Sequence, residues 1–365
     1  MTTKAPQDLA DLARRTADLL AARHVGVVVG AVRGDESAVG AAGRTGVDHE
    51  GRPDAHTLFE IGSVTKVFTG LALARLALAG TVDLDEPVRA LLPAGTAVPS
   101  RGGREITLRH LATHTSGLPR LPAGVRWWAA PWRTPPDPYA GYTADVVLAG
   151  LAHTGLRATP GDRCRYSNLG AGLLGLALAT RTGTDYETLV AADVCQPLGL
   201  TDTAITLDAA RQARLAQGHT GRRRPVPPWH LAALAGAGGL RSTAADLVTF
   251  LHAQLDATTE GTRQTAAGPT ADAIRLSREI THPINRWTWT TLGWMGLRLH
   301  PRFGSAHQFW HNGGTGGFRS WIGLIPDRRA AVAVLTNTAH APDTHAFDLL
   351  RALAFGGDLN GSSRP

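Results

Sequence analysis

The sequence predicts an α+β fold built on an antiparallel sheet. Strand-like runs gather at the two ends of the chain: HVGVVVGAVRG near the start, then LGWMGLRLH, SWIGLIP and AAVAVLTN near the end. The stretch between about 119 and 228 is different, with Ala/Leu-rich helical segments separated by Pro, Trp and Gly loops and little strand signal. Strands and helices segregated in this way point to α+β architecture.

Taken in order, residues 6–23 carry apolar spacing of helical period, and HVGVVVGAVRG is a strand ending at a glycine turn. A second strand is expected over 36–42. Residues 63–79, Ala- and Leu-rich throughout and stopped by Gly80, predict a long buried helix. A short helix follows over 108–113, then helices over 142–152, 171–182 and 186–194. After the C-terminal strands, residues 344–354 predict a closing helix. A helical insert thus separates two segments that share one sheet. The expected division is a discontinuous sheet domain, 1–115 with 236–365, and an insert domain, 116–235.

The 365 residues are 43% hydrophobic and 18% charged, ordinary for a globular protein, with no repeat period or low-complexity tract. The net charge of +7 raises the question of a nucleic-acid partner. The arginines are scattered, however, and the densest run, Arg222-Arg223-Arg224, leads straight into Pro-Val-Pro-Pro, so no nucleic-acid partner is expected. Cys164 and Cys195 permit a disulfide without requiring one. His110 and His114, at i and i+4, suggest zinc, but no acidic third ligand is evident. Neither a metal nor a cofactor is expected. The N-terminus carries acids where a signal peptide needs an apolar core, and VGVVVGAV is too short to cross a membrane. A cytoplasmic protein with no membrane partner is expected.

Within the apolar segment FEIGSVTKVFTG lies Lys66, one of only two lysines among 37 basic residues; Lys4 is the other. Guanidinium replaces ammonium wherever charge alone is needed, but it does not give up a proton at ordinary pH. A lysine kept in an arginine-rich chain therefore suggests an amine that must deprotonate. Ser63 and Lys66, three residues apart, share a helix face, and a buried amine beside a hydroxyl can activate it as a nucleophile.

Two later stretches follow in a telling order: Tyr166-Ser167-Asn168 in PGDRCRYSN, and His311-Asn312-Gly313-Gly314 in FWHNGGTGGF. With Ser63-x-x-Lys66 they resemble the three motifs of the serine β-lactamase and penicillin-binding-protein superfamily. The nearer likeness is the branch of class C β-lactamases, D,D-carboxypeptidases, D-aminopeptidases and esterases, whose second motif is Tyr-x-Asn. The segments ITLRHLATHTSGLP, QPLGLTDT, GGLRSTAADLVTFL and GLIPDRRAAVAVLTN are similar to that branch's later landmarks, so the likeness spans nearly the whole chain.

The resemblance implies a β-lactamase/transpeptidase-like fold with a mostly helical insert. It implies Ser63 as nucleophile, Lys66 and Tyr166 as proton-handling groups, and the backbone N–H groups of Ser63 and Gly314 as oxyanion hole. Asn168, His311, Asn312 and Gly313 would contact substrate. The family's third motif carries lysine where this chain has His311, and threonine where it has Asn312. A neutral imidazole binds a carboxylate less well than a fixed cation, which argues against strong β-lactamase activity. The resemblance places the active site in the cleft between the two domains, and Trp127, Trp128 and Trp132, with Trp229, suggest an aromatic lining to it, Trp128 being the expected substrate contact. The implied function is a serine acyl-enzyme hydrolase or transacylase acting on an ester or amide of a small molecule, with an amine or alcohol as acceptor in the second case. D,D-carboxypeptidase, D-aminopeptidase or weak β-lactamase activity is the alternative, and a non-catalytic acyl-ligand binding protein a further one.

Overall fold

The computed structural model describes residues 8–121, 137–257 and 268–356. Strands β1 (Gly26–Arg33) and β2 (Glu36–Gly43) form the N-terminal hairpin. Two short pairs follow: β3 (Phe59–Glu60) with β6 (Arg241–Ser242), and β4 (Gly218–His219) with β5 (Pro225–Val226). The C-terminal strands are β7 (His282–Pro283), β8 (Thr288–Thr290), β9 (Met295–Arg298), β10 (His307–Gly314), β11 (Arg319–Ile325) and β12 (Ala330–Thr336). The main sheet has eight strands in the order β2-β1-β12-β11-β10-β9-β8-β7, every neighbour antiparallel.

The helices are α1 (Leu9–Ala21), α2 (Thr65–Leu78), α3 (Leu108–Ala112), α4 (Ala144–Leu151), α5 (Asn168–Thr182), α6 (Tyr186–Val190), α7 (Ala209–Gln212), α8 (Ala244–Asp256), α9 (Pro269–Glu279) and α10 (Asp343–Phe355). Side chains alternate across the pleat, so the two faces of β1 feed two cores. Val27, Val29 and Ala31 pack with Leu9, Leu12 and Leu20 of α1 and Leu349 and Leu350 of α10. Val28 and Val32 turn the other way, into a core with α2, α5 and α8. Strand β12, buried at every residue, reads as a continuous apolar run because helices cover both of its faces. Each such valine or leucine removed from water stabilises the fold by about 1.5–3 kcal/mol before chain entropy is counted.

The expected α+β architecture holds, as do the strands at both ends. Three local differences have physical causes. The helix expected over 63–79 opens with a 3-10 turn, Gly62–Val64, and is α-helical only from Thr65, because Gly62 at φ +48° bends the chain sharply there. The helix expected over 186–194 is α-helical to Val190 and then widens into a π-turn, Ala191–Cys195. Strands β4, β5, β7 and β8, of two or three residues, are too short to show alternation in sequence. Cys164 and Cys195 are unpaired thiols. Among the described residues no helix is long and apolar enough to cross a membrane.

Candidate active site

The site begins where β3 ends. Helix α2 is buried almost all round, from Thr65 through Ala74, which fixes it against the sheet and carries Lys66 into the core at 3% exposure. The turn before it lies directly on β10. A Cβ on Gly62 would stand 2.5 Å from Gly314 N, and one on Gly313 would collide with Ile61 O. Glycine at both positions is what allows the Ser63 turn and the end of β10 to meet backbone to backbone. Ser320 Oγ, on the neighbouring strand, donates to Ile61 O at 2.7 Å and pins the turn in place.

Helix α5 brings the second motif. Ser167 is its N-cap, accepting from Gly170 N at 2.8 Å while donating to Pro119 O at 2.7 Å. Asn168 is thereby fixed at the first helical position, facing α2. Lys66 Nζ lies 2.9 Å from Asn168 Oδ1, 3.1 Å from Ser63 Oγ and 2.5 Å from Ala237 O. Asn168 Nδ2 in turn donates to Tyr139 Oη at 3.2 Å. Burial, with Arg120 adding a like charge, holds the Lys66 pKa well below its ordinary value.

The Tyr166 phenol neighbours the Ser63 side chain, and burial pushes it up to about 12 although Ser63 and Arg120 act the other way. Lys66 Nζ is 4.9 Å from the Tyr166 ring centre, and the Arg120 guanidinium carbon is 5.3 Å from it. His114 packs on the Tyr166 ring, centres 4.4 Å apart. This histidine accepts from Ser167 N through Nδ1, and His110 accepts from Thr107 N as part of the cap of α3, so each has a local structural task.

His311 sits lower than a substrate-contacting residue would. It is 2% exposed, and its Nδ1 donates to the Asn312 carbonyl at 2.7 Å. That bond fixes the tautomer and leaves Nε2 as an unprotonated, buried nitrogen with no hydrogen-bond partner among the described residues. Burial, then Lys66, depress its pKa to about 3, so the ring is neutral. Its neighbours Asn312, Gly313 and Gly314 line the cleft, while His311 does not. The cleft, about 700 Å³, is also lined by Ser63, Tyr166, Asn168, Tyr139 and Trp229. Trp127, Trp128 and Trp132 lie outside the described residues.

Three charged cleft residues have no counterpart among the sequence expectations, Arg120, Arg319 and Asp343, and neither has Tyr139. Arg319 donates to Thr315 O and Phe318 O, each at 2.7 Å, and Asp343 accepts from Asn312 Nδ2 at 2.8 Å. The three charged residues reach the cleft from a loop, a strand start and a helix start, and no sequence spacing joins them.

A serine opening a buried helix, set against an eight-stranded antiparallel sheet, is the arrangement of the serine β-lactamase and penicillin-binding-protein superfamily. The chain belongs to the beta-lactamase family, whose sequence profile, described as Beta-lactamase, matches residues 12–355. It is similar to "D-alanyl-D-alanine-carboxypeptidase/endopeptidase AmpH" of Escherichia coli (strain K12), 28% identical over 337 residues that span 90% of this chain and 84% of that protein. "Penicillin-binding protein 4" of Amycolatopsis lactamdurans is 28% identical over 342 residues, covering 88% of this chain and 83% of that one. The crystal structure of a class C beta lactamase from Rhodobacter sphaeroides shares the fold, with a TM-score of 0.76 at 22% identity over 90% of this chain and 95% of that one.

Proposed function

We propose that this protein is a serine acyl-enzyme hydrolase or transacylase acting on an ester or amide of a small molecule. The observation that supports this best is the set of atoms around Lys66 Nζ. Ala237 O and Asn168 Oδ1 are acceptors only. A neutral amine has two N–H groups and one lone pair. Once both N–H groups go to those acceptors, the lone pair is left for the Ser63 hydroxyl. Burial, then the Arg120 charge, shift the amine in the direction of that neutral form.

In this reading Lys66 takes the Ser63 proton as Oγ adds to the substrate carbonyl. The Ser63 and Gly314 N–H groups receive the developing oxyanion. As the tetrahedral centre collapses, the proton passes from Lys66 through the protonated Tyr166 phenol to the leaving oxygen or nitrogen. Water, or a bound amine or alcohol, then attacks the acyl carbon, gives its proton back along the same path, and Ser63 is released. Asn168 orients Lys66; Asn312 and Gly313 contact substrate from the cleft wall; His311 supports Asn312 from beneath. The cleft lies between the sheet unit, 1–115 with 236–365, and the insert, 116–235.

A second reading, D,D-carboxypeptidase or weak β-lactamase activity, draws on Arg120 and Arg319. Guanidinium groups pair bidentately with carboxylates, and here they stand in the cleft that the buried, neutral His311 does not reach.

The test is release of p-nitrophenol from short p-nitrophenyl esters, with and without added amines or alcohols, by wild type and Ser63→Ala. Release by wild type alone is expected, and an acylated acceptor as product would mark a transacylase. Equal release by Ser63→Ala, or none by either protein, would overturn the reading. Penicillin acylation in parallel decides the second reading.

A further inference from the structure

We propose that the buried Glu60–Arg241 pair is a positioning device that sets the aromatic wall of the cleft by gripping the main chain of Trp229. Its kinetic arm rests on the acyl-enzyme reading above; its spectroscopic arm does not.

Glu60 and Arg241 face each other across the β3–β6 pair, their charged groups 3.5 Å apart and their side chains 4% and 5% exposed. Both reach the same third residue. Trp229 N donates to Glu60 Oε1 at 2.7 Å, and Arg241 donates to Trp229 O at 3.1 Å. One peptide segment is thus held at its N–H by the anion and at its carbonyl by the cation. Arg241 also donates to Ile205 O.

The Trp229 indole goes where that grip directs it. A Cβ on Gly316 would stand 2.7 Å from Trp229 Nε1, so the ring covers the turn just after β10. Its centre is 5.6 Å from that of Tyr139, edge to face, and both rings line the cleft. Tyr139 is the residue that receives Asn168 Nδ2. Glu60 also neighbours the Thr315 hydroxyl, one residue past Gly314, and precedes Ser63 by only three positions. The pair therefore ties together the aromatic wall, the end of β10 and the serine turn.

Stability alone is a poor reason for such a pair. Replacing a buried ion pair by apolar residues of similar size is often neutral or stabilising, and here Arg241 Nε has no hydrogen-bond partner among the described residues. Burial raises the Glu60 carboxyl above its usual range, consistent with the cost of desolvating it.

The test uses the double variant Glu60→Leu/Arg241→Met, which removes both charges together and strands neither. With 5-fluorotryptophan incorporated, the Trp229 resonance, assigned through Trp229→Phe, is expected to shift or broaden in the double variant. The ratio of kcat/KM for p-nitrophenyl benzoate over acetate should fall about tenfold, equivalent to roughly 1.4 kcal/mol. Trp229→Ala should lower the same ratio, and adding it to the double variant should lower it no further, since all the changes act through one ring. An unmoved Trp229 resonance overturns the proposal whether or not the protein turns over esters. So does an unchanged ratio, or losses that multiply in the combined variant. Failure of the acyl-enzyme reading would appear separately, as the absence of any turnover in wild type.

Discussion

Lys66 Nζ stands 3.1 Å from Ser63 Oγ, and its two other close neighbours are an amide oxygen and a main-chain carbonyl oxygen. Among the described residues no carboxylate touches it. A lysine that served only as a charge would be expected to have one, because an isolated buried ammonium is costly.

Replacing Lys66 by arginine keeps a cation and removes the proton acceptor. Acylation of Ser63 should fall by roughly 10³-fold, measured by stopped-flow release of p-nitrophenol. A Lys66→Arg variant with wild-type acylation would show that charge is all this position supplies.

The pH dependence follows from the same amine. Lys66 must be neutral to act, so acylation rises as pH climbs through its pKa, which burial and Arg120 hold well below 10.5. Asn168→Asp puts an anion beside it and favours the ammonium form. The rising limb of the rate profile should move to higher pH by about 1–3 units. A limb that stays in place would mean that Lys66 does not govern it.

Acid should destabilise the folded protein through its buried imidazoles. His311 has a folded pKa of about 3 against an ordinary 6.5, so between these values the unfolded chain binds a proton that the folded chain does not. The stability it contributes is full above pH 6.5 and is lost as pH falls toward 3. His114 is shifted in the same direction and adds to the effect. Replacing His311 by Asn should make the fall shallower, by up to about 1.4 kcal/mol per pH unit, in urea unfolding followed from pH 6 to 4. An unchanged slope would place the acid sensitivity elsewhere.

Gly62 combines a φ of +48° with a backbone neighbour at Gly314. Gly62→Ala should cost about 2 kcal/mol of stability and also lower acylation, because the displaced contact joins the serine turn to β10. Thermal unfolding together with ester kinetics would reveal a variant that loses neither.

Much of this site was legible from the chain alone, for identifiable reasons. Lysine is so rare here that Lys66 is conspicuous, and Ser63 lies within one helical turn of it. Tyr166 and Asn168 are two positions apart at the start of α5, where the Ser167 cap leaves its own mark in the sequence. His311 was visible as a motif position but not as a buried one. The alternation of β10 turns Asn312 outward and His311 inward, and a departure from the family's lysine does not show which way the replacement points. Arg120, Arg319, Asp343 and Tyr139 converge from segments up to about 220 residues apart, which only the folded chain brings together. The grip of Glu60 and Arg241 on Trp229 was hidden for the same reason: each charge sits in a two-residue strand, and the contact is to main chain. The fold's framework was clear because β1, β11 and β12 are long apolar runs. The edge strands β7 and β8 were not, because two or three residues carry no period.

The measurement that bears most directly on the central claim is intact-protein mass spectrometry after brief incubation with a short p-nitrophenyl ester, followed by peptide mapping. A transient adduct of one acyl group is expected on the peptide holding Ser63, present in wild type and absent in Ser63→Ala. An adduct on another residue, or ester cleavage at wild-type rate by Ser63→Ala, would contradict it.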